Sequence, residues 1–223
     1  MVARTVPRCW DVVAPATLCR VRAIAAGEAL SEACSVAARS DLLAVLPLLR
    51  RAVAGCDHAG RVMAAANAAL WPSISTALGT GGLAEAWQSC TTLREERGDG
   101  HVAALLSHGI GGIDAHLLSA GTKGLPAEML RENRGWSEDD WDEATSRLAS
   151  GGLLHADGRA TDAGRTVHAA VEEQTDRLAA SPYADLSHAA ISELHGALSA
   201  CAREVAASGM LPFPNPMGLP RIG

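Results

Sequence analysis

Residues 126–165, PAEMLRENRGWSEDDWDEATSRLASGGLLHADGRATDAGR, decide the fold. Pro126 opens and Gly135 closes a short helix, because proline is preorganised for a first turn and glycine accepts the left-handed conformation that ends a last one. Ser137 begins the next helix as its N-cap, with Asp140 three residues on in a capping-box-like spacing, and Gly151-Gly152 stops it. LLHADGRAT then predicts two very short strands around Asp157-Gly158, the dipeptide of a tight hairpin. Thr161 caps the helix that follows, DAGRTVHAAVEEQTDRLAA. With the helical segment upstream, the order is helix, helix, helix, small hairpin, helix, which is that of a winged helix-turn-helix unit.

Upstream, the pattern from Ala84 to about Ala120 is helical, with interruptions predicted at RGDG (97–100) and GIGG (109–112), since glycine in a helix interior costs about 1 kcal/mol relative to alanine. Residues 8–90 read as Ala-rich helices. In SDLLAVLPLLRRAVAGCD, Leu42, Leu43, Leu46, Leu49 and Val53 fall at helical spacing, with Ser40 as the predicted N-cap, Gly55 near the stop, and Pro47 imposing a kink or a split. HAGRVMAAANAALWP predicts another helix, ended by Trp71-Pro72. Downstream, Ile191, Leu194, Leu198, Cys201 and Val205 mark a long helix over about 186–208, and the Pro-rich tail LPFPNPMGLPRIG is expected to be extended. The expected fold is mainly α: an N-terminal helical region, 1–82, followed by a winged-helix-like region, 83–223, with one small β-hairpin and a long C-terminal helix.

Composition agrees. Of 223 residues, 48% are hydrophobic but 3% are aromatic, which suits an Ala/Leu-rich helical core better than a β-sandwich and excludes intrinsic disorder. No stretch approaches the roughly 20 apolar residues of a membrane span, and Asp11 and Pro15 break any secretory apolar region, so a cytoplasmic location without membrane contact is expected. Six scattered cysteines, with no C-x-x-C pair, read as reduced core residues.

Three stretches carry a resemblance: TTLREERGDGHVAALLSHGIGGIDAHLL (91–118), ENRGWSEDDWDEATSRLASGGLLHADGRATDAGR (132–165) and LPFPNPMGLP (211–220). Over about residues 60–223 the chain resembles a little-characterised actinobacterial family of helix-turn-helix-like proteins, which joins an N-terminal helical region to a MarR-like C-terminal unit. The N-terminal 55 residues lack the Tyr/Phe-rich stretch associated with that family. The resemblance implies a homodimer formed through terminal helices, the 186–208 helix among them. It also makes a specialised-metabolite ligand plausible.

Charge speaks against the obvious function. The net charge is −6, and it is unevenly spread: residues 1–90 sum to +2 and residues 91–223 to −8. The second helix of the turn, which enters the major groove in DNA-binding units, starts Ser137-Glu138-Asp139-Asp140-Trp141-Asp142-Glu143; residues 137–150 hold five acids and one base, Arg147. Acids in the first turn stabilise the helix dipole but repel phosphate, so DNA is disfavoured as a partner.

The strongest candidate site is Arg94-Glu95-Glu96-Arg97-Gly98-Asp99-Gly100-His101. On a helix Arg94, Arg97 and His101 share a face, with His108 seven residues further on. His101 with Asp99 would suit acid/base work near neutral pH, and Arg94 and Arg97, with His108, would suit an anionic or carboxylate-bearing small organic ligand. Trp71 and Trp87 would wall such a pocket. Two other assignments stay open: a structural network of ion pairs around a satisfied His101, and a metal site at His101, His108, Asp114 and His116, for which the spacing is loose. Neither a metal nor a cofactor is expected, and no serine-hydrolase elbow, P-loop or dinucleotide fingerprint is present. Two functions fit: a cofactor-free acid/base enzyme acting by cyclisation, isomerisation or hydrolysis, or a MarR-like ligand-responsive transcriptional regulator.

Overall fold

The computed structural model describes residues 11–70, 81–213 and 215. Among them the chain is almost entirely helical: α1 (Pro15–Ala33), α2 (Val36–Ala44), α3 (Leu46–Ala54), α4 (Val62–Ala69), α5 (Leu83–Ser107), α6 (Gly112–Lys123), α7 (Ala127–Arg134), α8 (Glu138–Ser150), α9 (Asp162–Ala179), a 3-10 turn (Ser181–Tyr183) and α10 (His188–Ala207). The mainly α fold class is therefore observed. No helix among the described residues is long and apolar enough to cross a membrane.

Most boundaries follow local chemistry. Pro47 does split its segment, standing in the first turn of α3 just past the Val45 joint. The cap of α2 is Ser35, not Ser40: the Ser35 hydroxyl accepts from Ala38 N at 3.2 Å, while Ser40 lies inside the helix. A larger correction concerns RGDG, which does not interrupt α5; the helix runs through it for 25 residues. Local propensity yields to tertiary contact here, because Arg97 is bonded to Glu172 at 3.0 Å and Asp176 at 3.2 Å, and Gly100 is buried. GIGG does separate α5 from α6.

The described residues divide into two compact units: unit 1, residues 11–70, 81–96 and 180–211, and unit 2, residues 97–179 with 212, 213 and 215. The sequence boundary near 82 falls within unit 1, to which α10 also belongs. In unit 1, Leu42, Val45, Leu46 and the fully buried Leu49 pack with Leu194, Ala197 and Cys201 of α10 and with Leu83 and Ala86 of α5. A buried ion pair, Arg61 Nε to Glu96 Oε1 at 2.9 Å, ties the loop before α4 to α5.

Unit 2 holds the helix-turn-helix, α7 and α8. Gly135, with φ +72°, closes α7, and the Ser137 hydroxyl accepts from Asp140 N at 3.1 Å to start α8. The inner stripe of α8 (Trp141, Ala144, Leu148) packs on Leu117 and Leu118 of α6, Leu130 of α7 and Leu154 and Ala160 of the segment between α8 and α9. The expected two-stranded hairpin reduces to one antiparallel bridge, Leu154 with Ala160. His155 N donates to Arg159 O (2.8 Å) and Thr161 N to Leu153 O (3.1 Å), while Ala160 N, which points away from the partner strand in such a pair, donates to Gly121 O of α6 (3.0 Å); the ladder ends because the turn follows His155 on one side and α9 begins at Asp162 on the other. The contact with α6 needs glycine. A Cβ on Gly121 would stand 2.5 Å from Gly158 O, and one on Gly164 would stand 2.1 Å from Leu153 O.

Candidate ligand-binding cavity

Within unit 2, α5, α6, α7 and α9 border a half-open cavity of about 540 Å³. Its apolar wall includes Leu105, Leu118, Leu125, Leu130 and Val171; its polar wall brings Arg97 and His101 from α5, His116 and Lys123 from α6, Arg134 from α7, and His168 and Glu172 from α9. A size within the range of small-molecule sites, an apolar lining and a few convergent polar groups are the features of such a site. Three cationic side chains and one carboxylate line the cavity, with Arg97 paired to Glu172 and to Asp176, so the lining is net positive.

Hydrogen bonding fixes the state of His101. Thr175 Oγ1 donates to Val171 O at 2.7 Å, which uses its one proton. The contact of 2.9 Å between Thr175 Oγ1 and His101 Nδ1 therefore has the imidazole as donor. The neutral ring is thus protonated on Nδ1, leaving Nε2 with the lone pair. Burial lowers the His101 pKa first, Glu172 opposes this, and Arg97 and Lys123 add to it. His168 is lowered by burial and by Lys123, and His116 by burial and by Arg134. All three imidazoles are held neutral at pH 7 on a wall whose fixed charges are mostly positive.

The helix-turn-helix presents the opposite charge outward. Glu138, Asp139, Asp140, Asp142 and Glu143 of α8 are exposed. The one base of α8, Arg147, is bonded to Asp114 of α6 at 2.6 Å. Asp114 is buried and its other oxygen accepts from Gly111 N at 3.3 Å, so the pair joins the start of α6 to α8. Between α8 and α9 Arg159 pairs with Asp157 at 2.7 Å, and in the first turn of α9 Arg165 pairs with Asp162.

A family model described as a helix-turn-helix family matches residues 1–212. The chain belongs to this helix-turn-helix family. The match takes in the N-terminal residues that lie outside the stretch, about 60–223, carrying the sequence resemblance. Comparison with curated proteins and with solved structures found no match.

In this helix-turn-helix protein the cavity gathers two of the residues singled out from sequence, Arg97 and His101. Asp99 is two residues from His101 on a continuous helix, and such neighbours do not face each other; the carboxylate acting on His101 is Glu172. Arg94 belongs to unit 1 and pairs with Glu95. His108 is exposed just past the end of α5. Trp87 lies in unit 1 under the Arg22 guanidinium, 4.9 Å from the ring centroid. Trp71 lies outside the described residues. Of the residues weighed for a metal, Asp114 is committed to Arg147 and Gly111, and His116 lines the cavity.

Sequence reasoning missed His168, Glu172, Lys123 and Arg134 as members of one site. The signal was present on α9: Gly164, His168, Val171, Glu172 and Thr175 recur at helical spacing, so two titratable residues stand on or beside the buried face.

Proposed function

We propose that the protein is a ligand-responsive regulator of the helix-turn-helix family, in which a small anionic organic molecule occupies the unit 2 cavity. The observation that carries this is the cavity's wall. Leu130 and Arg134 belong to α7, the first helix of the helix-turn-helix, and Leu125 leads into it. A ligand there changes the packing on which α7 and α8 rest. The expected ligand pairs a carboxylate, for Lys123 and Arg134, with an apolar body for the leucines. Family membership supports a regulator over a cofactor-free enzyme. The MarR-like form expected from sequence would act as a homodimer.

A second function, acid/base catalysis on the same ligand, is favoured by one observation: His101, in a defined tautomer, lines the cavity together with Glu172 and His168. The acidic outer side of α8 sets the discriminating experiment. Small molecules that copurify with the protein are identified by mass spectrometry, and binding to genomic DNA fragments is measured by fluorescence anisotropy with and without them. Saturable DNA binding that the ligand modulates supports the regulator. Ligand turnover without DNA binding replaces it with the enzyme, and a protein that binds no small molecule overturns both.

A further inference from the structure

Outside the cavity, two thiols in unit 1 are placed for chemistry with each other. Cys34 is the C-cap residue of α1 and Cys201 lies in the C-terminal half of α10; their Sγ atoms are 3.0 Å apart, and the residues are 4% and 5% exposed. A disulfide bond measures about 2.05 Å, so closure needs about one ångström of movement. The register is already set by neighbouring groups: the backbone N–H and hydroxyl of Ser35 both donate to the Glu204 carboxylate, one α10 turn beyond Cys201. These hydrogen bonds hold Glu204 ionised, its pKa below the usual carboxylate value. Leu42, Leu49 and Leu194 pack in the same core, which restricts alternative partners. The junction between α1 and α2 and the α10 helix are thus pinned together at the point where the sulfurs meet.

We propose that Cys34 and Cys201 form a reversible oxidation site, in which a peroxide converts the dithiol to a disulfide that ties α10 to the α1–α2 junction. The reaction balances as two thiols and one hydrogen peroxide giving one disulfide and two waters. One sulfur, losing its proton, attacks a peroxide oxygen; the O–O bond breaks, a sulfenic acid forms and the departing hydroxide leaves as water. The second thiol then attacks that sulfur as its own proton is lost, the S–O bond breaks and the second water departs. Peroxide is reduced and the sulfur pair gives up two electrons. Burial, which pushes the Cys201 thiol up to about 12, keeps it protonated at rest, so oxidation is slow beside that of an exposed, acidic thiol. The same burial slows reduction of the finished bond by thiols without preventing it. The bond closes a long loop and constrains the unfolded chain, so unit 1 gains stability when oxidised.

The test uses the full chain. Protein treated with hydrogen peroxide is alkylated, digested and mapped by mass spectrometry, and its thermal unfolding is followed with and without dithiothreitol. The expected result is a Cys34–Cys201 linked peptide, an intact mass lower by two hydrogens, and a higher Tm that dithiothreitol reverses. Cys34→Ala and Cys201→Ala each remove the link, and Cys90→Ala leaves it. Linkage to Cys90 instead, or thiols carried to sulfinic acid without any link in the wild-type chain, overturns the proposal. The wild-type peptide map decides this even if a variant fails to fold.

Discussion

The outward side of α8 and the wall of the cavity belong to the same unit, yet they carry opposite charge. On α8, five exposed acids follow Ser137, and the one arginine is drawn aside by Asp114. Around the cavity, Arg97, Lys123, Arg134 and Glu172 are the charged lining residues, Arg97 being bonded to Asp176 as well as to Glu172, and three imidazoles complete the polar lining. In a helix-turn-helix that held DNA chiefly by charge, the cations would lie outside, where counterions are released from phosphate. Here the three, though exposed, stand around the half-open cavity and not on α8. The difference teaches that family and fold locate the binding elements, while the placement of charge says what each surface accepts.

The comparison is broken most completely by removing the scaffold between the two surfaces. Trp141 is buried on the inner stripe of α8, so Trp141→Ala should cost about 3–5 kcal/mol in urea unfolding of unit 2 and abolish ligand binding with it. A loss below about 1 kcal/mol, the level of ordinary surface changes, would show that α8 does not rest on this core.

The next effect concerns the cavity alone. Lys123→Ala with Arg134→Ala should weaken binding of a carboxylate by at least about tenfold, because a hydrogen bond to a charged group contributes roughly 1.5–3 kcal/mol. Titration calorimetry reads this directly, and circular dichroism should be unchanged.

The pH dependence is smaller and has a definite sign. His101, His116 and His168 have folded pKa values below the ordinary 6.5. As the pH falls through 6.5, the unfolded chain takes up protons before the folded one does. Unliganded unit 2 therefore loses stability on acidification below about pH 6.5, and the loss is complete once the folded imidazoles are also protonated. An anion in the cavity favours the imidazolium forms, so carboxylate binding strengthens over the same interval. Replacing the three histidines with asparagine should flatten both curves, as measured by thermal unfolding and by calorimetry from pH 7.5 to 5.5.

The smallest effect lies outside. Glu138→Gln with Asp139→Asn removes two acids from the first turn of α8, and each contributes about 0.3–1 kcal/mol through the helix dipole. Stability should fall by no more than that, carboxylate affinity should not change, and any affinity for duplex DNA at low salt should rise. A change in carboxylate affinity would show that the two surfaces are not electrostatically separate.

What could be read from sequence was whatever a few neighbouring residues decide. Pro126, Gly135, Ser137 and Thr161 set the ends of α7, α8 and α9 by local bonds, and the structure keeps those ends. The helix through RGDG was not legible, because the acids that bind Arg97 are 75 and 79 residues away. The hairpin was legible as a turn at Asp157-Gly158 but not as a single bridge, since α9 begins at Asp162 and leaves no residues for a second pair. The candidate site was half legible for the same reason. Arg97 and His101 stand one turn apart on α5, whereas His168 and Glu172 join them only when α9 packs on α5. The charge of α8 needed no structure at all.

The most direct test of the central claim is a thermal-shift and calorimetric titration of the protein with benzoate, salicylate, indole-3-acetate and decanoate, run beside the Lys123→Ala, Arg134→Ala double variant. Saturable one-to-one binding of at least one of these carboxylates is expected, tighter at pH 6 than at pH 7.5, and lost in the variant. Binding that the variant retains in full, or no binding by any member of the series, would contradict that claim.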